Sequence, residues 1–282
     1  MTPVTPLGPP DQKLSRLRQY LRDLGSVLVC YSGGIDSALV LAVATSELGE
    51  RAVGLTAVSP SLPDSEREGA QRTAHSMNAR HHFVTSNELA RPGYVQNGPD
   101  RCFHCKSELY EIAQLKCEEW GLNSIVNGTN VDDLGDYRPG LKAASNAKVK
   151  SPLAELGFNK ADVRAAAQRL GLEIWDKPAA ACLSSRIPYG TAVTPERLRQ
   201  IGDYEADLRA LGFRQLRVRY HGDLARIELG QDELQRGLQA PLQNRIVTLG
   251  HRHGFQTVTI DPKGYRQGSH NEALSKRALP VV

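Results

Sequence analysis

Three features of the sequence predict an α/β protein: a doubly wound parallel sheet followed by a smaller C-terminal α+β domain. First, the apolar run Val27-Leu28-Val29-Cys30-Tyr31 leads into Ser32-Gly33-Gly34-Ile35-Asp36-Ser37 and then into an apolar, Gly-free stretch over 38–44. That order reads as buried strand, Ser/Gly turn, buried helix. Second, strand and helix patterns go on alternating as far as Leu170, as in parallel sheets covered on both faces. Third, a long irregular stretch over 176–193 gives way to period-two alternation in Leu216-Arg217-Val218-Arg219 and Ala225-Arg226-Ile227-Glu228-Leu229, the pattern of a hairpin.

Each element follows from local chemistry. Residues 52–58 read as a second strand ending at Ser59-Pro60, 64–78 as a helix and 82–84 as a short strand. Over 107–120, Leu109, Ile112, Ala113, Cys117 and Trp120 fall on one stripe and predict an amphipathic helix. Residues 124–126 form a strand that closes on Asn127-Gly128-Thr129-Asn130. Asn159 is the N-cap of a helix that turns Val163, Ala166, Ala167 and Leu170 inward. Thr194-Pro195, a cap followed by a first-turn proline, opens another helix with Leu198, Ile201, Glu205, Leu208 and Leu211 along it. The hairpin turns at His221-Gly222-Asp223 and is expected to keep one wet, charged face. Residues 257–260 supply a last strand. The domain plan is a leader over 1–12, an α/β domain over 13–190 and a C-terminal α+β domain over 191–282.

Composition narrows the class. The chain has 282 residues, ordinary apolar and charged fractions, and a net charge of +4. That mild charge suits an anionic substrate and is a weak case for nucleic acid. No apolar run approaches the ~18–20 residues of a membrane span. The Pro-rich start (Pro3, Pro6, Pro9, Pro10) lacks the charged and apolar regions of a secretory signal and reads as a disordered leader. Five cysteines without such a signal point to a reducing cytoplasm, where close cysteines serve metal or redox chemistry more than disulfides.

The chemistry concentrates in two places. Strand, Ser/Gly turn and helix together offer backbone N–H groups and a helix N-terminus to an anion. Ser32 and Ser37 add hydroxyl donors; Asp36 is placed to hold magnesium or to position an attacking group. Neither a Walker A loop nor the Gly-x-Gly-x-x-Gly spacing is present. In a doubly wound sheet, ligands gather at the carboxyl ends of the strands, the edge that Ser32, the Ser59 turn and Asn127 to Asp133 share. The second place is the cysteine set. Cys102-x-x-Cys105, in a loop before the 107–120 helix, has the spacing of two ligands to one metal. Cys30 and Cys117 read as buried small hydrophobes. Cys182 lies instead in Cys182-Leu-Ser-Ser-Arg186-Ile-Pro-Tyr-Gly190, where Ser184, Ser185 and Arg186 form a phosphate-binding set. Three sulfurs are short of the four ligands of structural zinc, which His104 would complete; a cubane on three cysteines leaves one iron open.

The hexad Ser32 to Ser37 resembles the pyrophosphate-binding loop (PP-loop) of the ATP pyrophosphatase superfamily. The further motifs are Arg101-Cys102-Phe-His-Cys105-Lys106, Asn127-Gly-Thr-Asn-Val-Asp132-Asp133, Asp136-Tyr-Arg138-Pro-Gly140, the Cys182 to Gly190 segment, Arg217-x-Arg219 and Gly264-Tyr-Arg266-x-Gly268-Ser. In that order they resemble the LarE family of ATP-dependent sulfur transferases over nearly the whole chain. The resemblance implies that ATP, with Mg2+, adenylates the carboxylates of a pyridinium-3,5-dicarboxylate mononucleotide. Sulfur then displaces AMP, making the bis-thiocarboxylate that holds nickel in lactate racemase. It implies ATP contacts from Ser32, Gly33, Gly34, Asp36 and Ser37, and substrate contacts from Ser185, Arg186, Arg217, Arg219 and Asp133. It also implies a homo-oligomer. Cys182 matches the cysteine that some members sacrifice as the sulfur source. With Cys102 and Cys105 also present, the three-cysteine type carrying a [4Fe-4S] cluster is the preferred reading. The alternatives are single-turnover transfer of the Cys182 sulfur, a tRNA thiolase of the same superfamily, an ammonia-using synthetase, and a non-catalytic binding module.

Overall fold

The computed structural model describes residues 10–135, 139–178 and 181–266. The chain divides into two compact units, Met1–Tyr94 with Pro99–Ala180, and Val95–Gly98 with Ala181–Val282. The boundary expected at 190 therefore lies inside the second unit. Asn97 shows why a short piece of the earlier chain belongs there. Its buried side-chain amide donates to the carbonyls of Ile187, Pro188 and Thr191 at 3.2, 2.8 and 2.9 Å.

The first unit is built on a four-stranded parallel sheet. Its strands are β1 (Val27–Cys30), β2 (Ala52–Val58), β3 (Arg80–Thr85) and β4 (Ser124–Val126), in the order β3-β2-β1-β4. The helices are α1 (Pro10–Leu24), α2 (Ile35–Leu48), α3 (Asp64–Ser76), α4 (Pro92–Val95, whose last residue falls in the second unit), α5 (Arg101–Glu119), α6 (Pro139–Asn146), α7 (Pro152–Glu155) and α8 (Lys160–Arg169). All four residues of β1 are buried, as its continuous apolar run requires of a central parallel strand. Leu14, Leu17 and Leu21 of α1 join α2 and the Val163, Ala166 and Ala167 face of α8 in one core. Tyr110, Ala113 and Cys117 of α5 join Ala143 and Ala144 of α6 in another, with Leu28, Leu55 and Ile125. The sheet is thus doubly wound, as expected.

Several local expectations hold. Asn159 caps α8 through a reciprocal box with Asp162, and Cys30 and Cys117 are buried among apolar side chains. Others need correction. Residues 10–12 belong to the first turn of α1, not to a leader, and residues 1–9 lie outside the described ones. Helix α5 starts at Arg101, so Cys102 and Cys105 sit in its first turns and not in a preceding loop. Phe103, ahead of the expected start at 107, packs on the adjacent core.

The second unit holds α9 (Pro195–Ala210), β5 (Leu216–His221), β6 (Leu224–Leu229), α10 (Gln231–Gly237), α11 (Ala240–Arg252) and β7 (Thr257–Ile260). Its sheet runs β5-β6-β7, antiparallel across the hairpin and parallel between β6 and β7. Thr194 caps α9, as predicted. The charged face of the hairpin is not wet: Arg217, Arg219 and Glu228 are all buried. Opposite charges make this possible. Arg219 donates twice to one Glu228 oxygen, at 2.9 and 2.8 Å. Glu205 on α9 is fully buried. It accepts from Arg186 at 2.8 and 3.0 Å, from Arg209 at 3.2 Å and from the Val218 backbone at 3.0 Å. Burial alone would raise the Glu205 carboxyl, but Arg186 and its other donors hold it below the usual carboxylate range.

Breaking such a pair leaves an uncompensated buried charge. Glu205→Ala is expected to cost about 3–5 kcal/mol in urea unfolding. The folded-state pKa of Glu205 is depressed, so its contribution is complete above the ordinary carboxylate range. It fades as the pH falls through the lowered value. The gap between wild type and variant should therefore close under acid and stay constant above neutrality.

Candidate active site

The end of β1 feeds straight into Ser32 and Gly33. Gly33 has φ of +74°, and a Cβ there would lie 2.9 Å from the Cβ of Ala70, so both the turn and the packing on α3 demand glycine. Helix α2 then starts at Ile35 with Gly34 as a cap that offers no side chain. The first-turn N–H groups are consequently not consumed by a side chain of the capping residue, as an anion cradle requires. Ser37 shapes the loop from within: its hydroxyl donates to Gly34 O at 3.0 Å and receives Ser32 N at 3.1 Å. The Ser32 and Ser37 hydroxyls lie 3.1 Å apart.

Strand β4 brings a second backbone to the same spot. A Cβ on Gly128 would fall 2.5 Å from Ser37 N, so only glycine lets this loop pass so close. Asn127 braces it, accepting from Thr129 N and Ser151 Oγ at 3.0 Å each. Two residues past Gly128, Asn130 donates its amide to Asp36 Oδ1 at 3.0 Å, and its backbone N–H donates to Asp133 at 3.1 Å. Lys160, the first residue of α8, places its ammonium 2.5 Å from Asp36 Oδ2. Its own N–H donates to Asp132 at 2.7 Å. Asp36 and Asp133 are oxygen donors of the kind magnesium takes. Asp136 and Arg138, of the Asp136 to Gly140 motif, lie outside the described residues.

Cys102 and Cys105 share one face of α5, three residues apart; the first is exposed, the second half-buried, and neither is in a disulfide. Lys106 follows them. Burial opposes its charge, yet Tyr110, Cys105, Cys30 and Cys102 hold its pKa above that of an ordinary lysine. Burial pushes the Cys30 thiol up to about 12, so it stays a protonated hydrophobe at neutral pH. His104 does not join the pair as a zinc ligand. Its ring sits over Gly93 and 3.3 Å from Asp100. Among the described residues, no group of three or more His, Cys, Asp or Glu side chains is placed to hold a metal ion.

The other predicted site residues belong to the second unit. Cys182, half-buried, precedes a short 3₁₀ turn, Leu183–Arg186. Its carbonyl accepts from Ser185 Oγ at 2.8 Å and from Arg186 at 2.9 Å. Arg219 donates to Ser185 O at 2.9 Å. Arg217 stacks on Tyr265 at 5.1 Å and donates to Leu216 O at 2.7 Å. Burial and the like charge of Arg186 push the Arg217 guanidinium down to about 10, so it remains a cation at neutral pH. Ser185 and Arg186 thus meet the Cys182 carbonyl and Arg219 reaches Ser185, while Arg186 and Arg219 also serve Glu205 and Glu228.

Lys160, Asn130 and Lys106 were not singled out as site residues by sequence reasoning. Lys160 had a signal: a lysine at the first position of a helix opposes the macrodipole and calls for another reason to be there. Asn130 and Lys106 lay inside recognised motifs without a stated role. Because the Asp36–Lys160 pair is partly exposed, its loss should cost only ~1 kcal/mol or less of stability. Asp36→Ala is therefore expected to retain its unfolding midpoint while pyrophosphate release falls by at least about a hundredfold. Both are read on one preparation, by urea titration and a coupled pyrophosphate assay.

The chain resembles known proteins along its length. The family model for asparagine synthase matches residues 17–94, which include the Ser32 to Ser37 loop. An uncharacterized protein of Synechocystis is 46% identical over 94% of this chain and 99% of its own. An uncharacterized protein of Methanocaldococcus jannaschii is 29% identical over 90% and 98%. The pyridinium-3,5-bisthiocarboxylic acid mononucleotide synthase of Lactiplantibacillus plantarum is 38% identical over 95% of this chain and 96% of its own. A PP-loop of this geometry, within an identity sustained over both units, places the chain in the LarE family of ATP-dependent sulfur transferases.

Proposed function

We propose that this enzyme adenylates the carboxylates of a pyridinium-3,5-dicarboxylate mononucleotide and converts them to thiocarboxylates, with Cys182 at the centre of sulfur delivery. The observation that carries the reading is the convergence of Asp36, Asn130 and Lys160 on a loop whose capping glycine leaves the first-turn N–H groups open. The relative from L. plantarum, by its name, makes the bis-thiocarboxylic product.

The chemistry divides into two displacements. A carboxylate oxygen attacks the α-phosphorus of ATP, and pyrophosphate leaves with the electron pair of the broken P–O bond. The loop N–H groups and the Ser32 and Ser37 hydroxyls bind that leaving group, and Lys160 counters its charge. Asp36 and Asp133 would hold magnesium, which supplies further neutralisation of the triphosphate. A sulfur nucleophile then attacks the acyl carbon, and AMP leaves with the bridging oxygen. A carboxylate oxygen cannot leave unaided; as AMP it can. The dianionic substrate and its phosphate require cations, and Ser185, Arg186, Arg217 and Arg219 are the donors proposed for them.

Cys102, Cys105 and Cys182 are the proposed ligands of a [4Fe-4S] cluster, which when bound would supply sulfide for repeated turnover. Two thiols on one helical face, neither in a disulfide, suit a thiophilic centre, and Lys106 is a cation beside them. Cysteines outside disulfides fit a reducing cytoplasm, and the family resemblance supports a homo-oligomer.

Iron, sulfide and intact mass measured on one anaerobic sample, before and after turnover, test the sulfur source. About four irons per chain, with Cys182 unchanged in mass after several turnovers, are expected. An iron-free protein that transfers sulfur once, Cys182 having lost one hydrogen sulfide, would replace the cluster reading with sacrificial transfer. Cys182→Ala should abolish thiocarboxylate while pyrophosphate release persists, read by coupled assay and product mass.

A further inference from the structure

Lys177 lies in the irregular stretch after α8, and no motif marks it. Its ammonium donates to the carbonyl of Gly33 at 3.1 Å and to Glu66 at 2.8 Å. Gly33 is the residue at which the PP-loop turns, and Glu66 stands in the first turn of α3. The side chain is about a quarter exposed, so the charge borders solvent at the loop. Lys160 meets the loop at Asp36 and Lys177 meets it at Gly33, three residues earlier in the chain. Two lysines from separate segments of the first unit therefore converge on the two ends of one anion cradle.

The ammonium offsets the partial negative charge of the Gly33 carbonyl at the loop. The ammonium has three donors. Gly33 O and Glu66 take two; the third is available to a phosphate oxygen. We propose that Lys177 binds the leaving pyrophosphate directly, and that the Glu66 carboxylate holds it at the loop when the site is empty. The inference rests on the ATP-cleaving reading of this loop and adds a residue to it. Charge-assisted hydrogen bonds from an ammonium to phosphate are the strong kind. Developing charge on the leaving group strengthens this one, so it favours the transition state over bound ATP.

A lysine that merely braces the loop would affect all ligands alike and would tolerate a neutral donor. Equilibrium dialysis with labelled pyrophosphate and labelled AMP, on the full chain, separates the cases. Lys177→Gln keeps an N–H for the Gly33 carbonyl but loses the charge. It is expected to weaken pyrophosphate binding about ten- to a hundredfold, the weight of one charged hydrogen bond, and to leave AMP binding within about twofold. Lys177→Arg should recover most of the loss. Equal weakening of pyrophosphate and AMP, or a Gln variant that binds like wild type, overturns the proposal. If Lys177→Gln does not fold, Glu66→Gln decides. Release of the ammonium from its carboxylate should tighten pyrophosphate binding relative to AMP, and an unchanged ratio refutes the assignment. Wild-type protein that binds no pyrophosphate would overturn the ATP-cleaving reading together with it.

Discussion

The first unit depends on the approach of two backbones. Gly128, just past β4, comes so close to Ser37, at the start of α2, that no side chain fits between them. This contact joins the ends of two neighbouring parallel strands. Once it forms, Asn130 reaches Asp36, and the loop after β4 becomes one wall of the anion site. The parallel order β2-β1-β4 makes this possible by placing the carboxyl ends of the central strands side by side. Burial of β1 on both faces keeps the edge rigid, and a rigid edge holds a leaving group without rearranging around it.

The second unit solves a different problem. Its sheet carries arginines on strands that also bury leucine, valine and isoleucine. A guanidinium in such surroundings is tolerated only when a carboxylate meets it. Glu205 and Glu228 do so, each gathering more than one arginine. Arg186 and Arg219, two of the positive charges proposed for substrate binding, are therefore held in fixed orientations by acidic partners. They are pre-organised rather than free, which lowers the ordering cost of capturing an anion.

Much of this was legible in the sequence because it rests on local rules. Strands β2, β4 and β7 begin and end where period and composition put them, and Asn159 and Thr194 cap the helices they precede. Cys30 and Cys117 read correctly as core because each lies within an apolar pattern. The failures have one cause. Alternating arginines on a hairpin look like a wet face when a strand is read alone. The carboxylate that meets Arg219 and Arg226, Glu228, becomes their partner only through the pairing of the two strands and its burial beneath the folded unit. The start of α5 was misplaced for a similar reason: Phe103 helps to hold it by packing on a core that only the folded sheet creates.

The sequence by itself determined the class of chemistry. Ser32 to Ser37 between a buried strand and a buried helix can serve little but an anion, and the ordered motifs along the chain carry the resemblance to sulfur transferases. Those properties depend on residues within reach of one another along the chain. Tertiary structure alone decided which charges meet. Lys160 at Asp36, Lys177 at the Gly33 carbonyl and Glu205 at Arg186 are pairings over long sequence distances. No local pattern encodes them, because an ion pair is set by where two elements pack, and packing is decided by the cores beneath them.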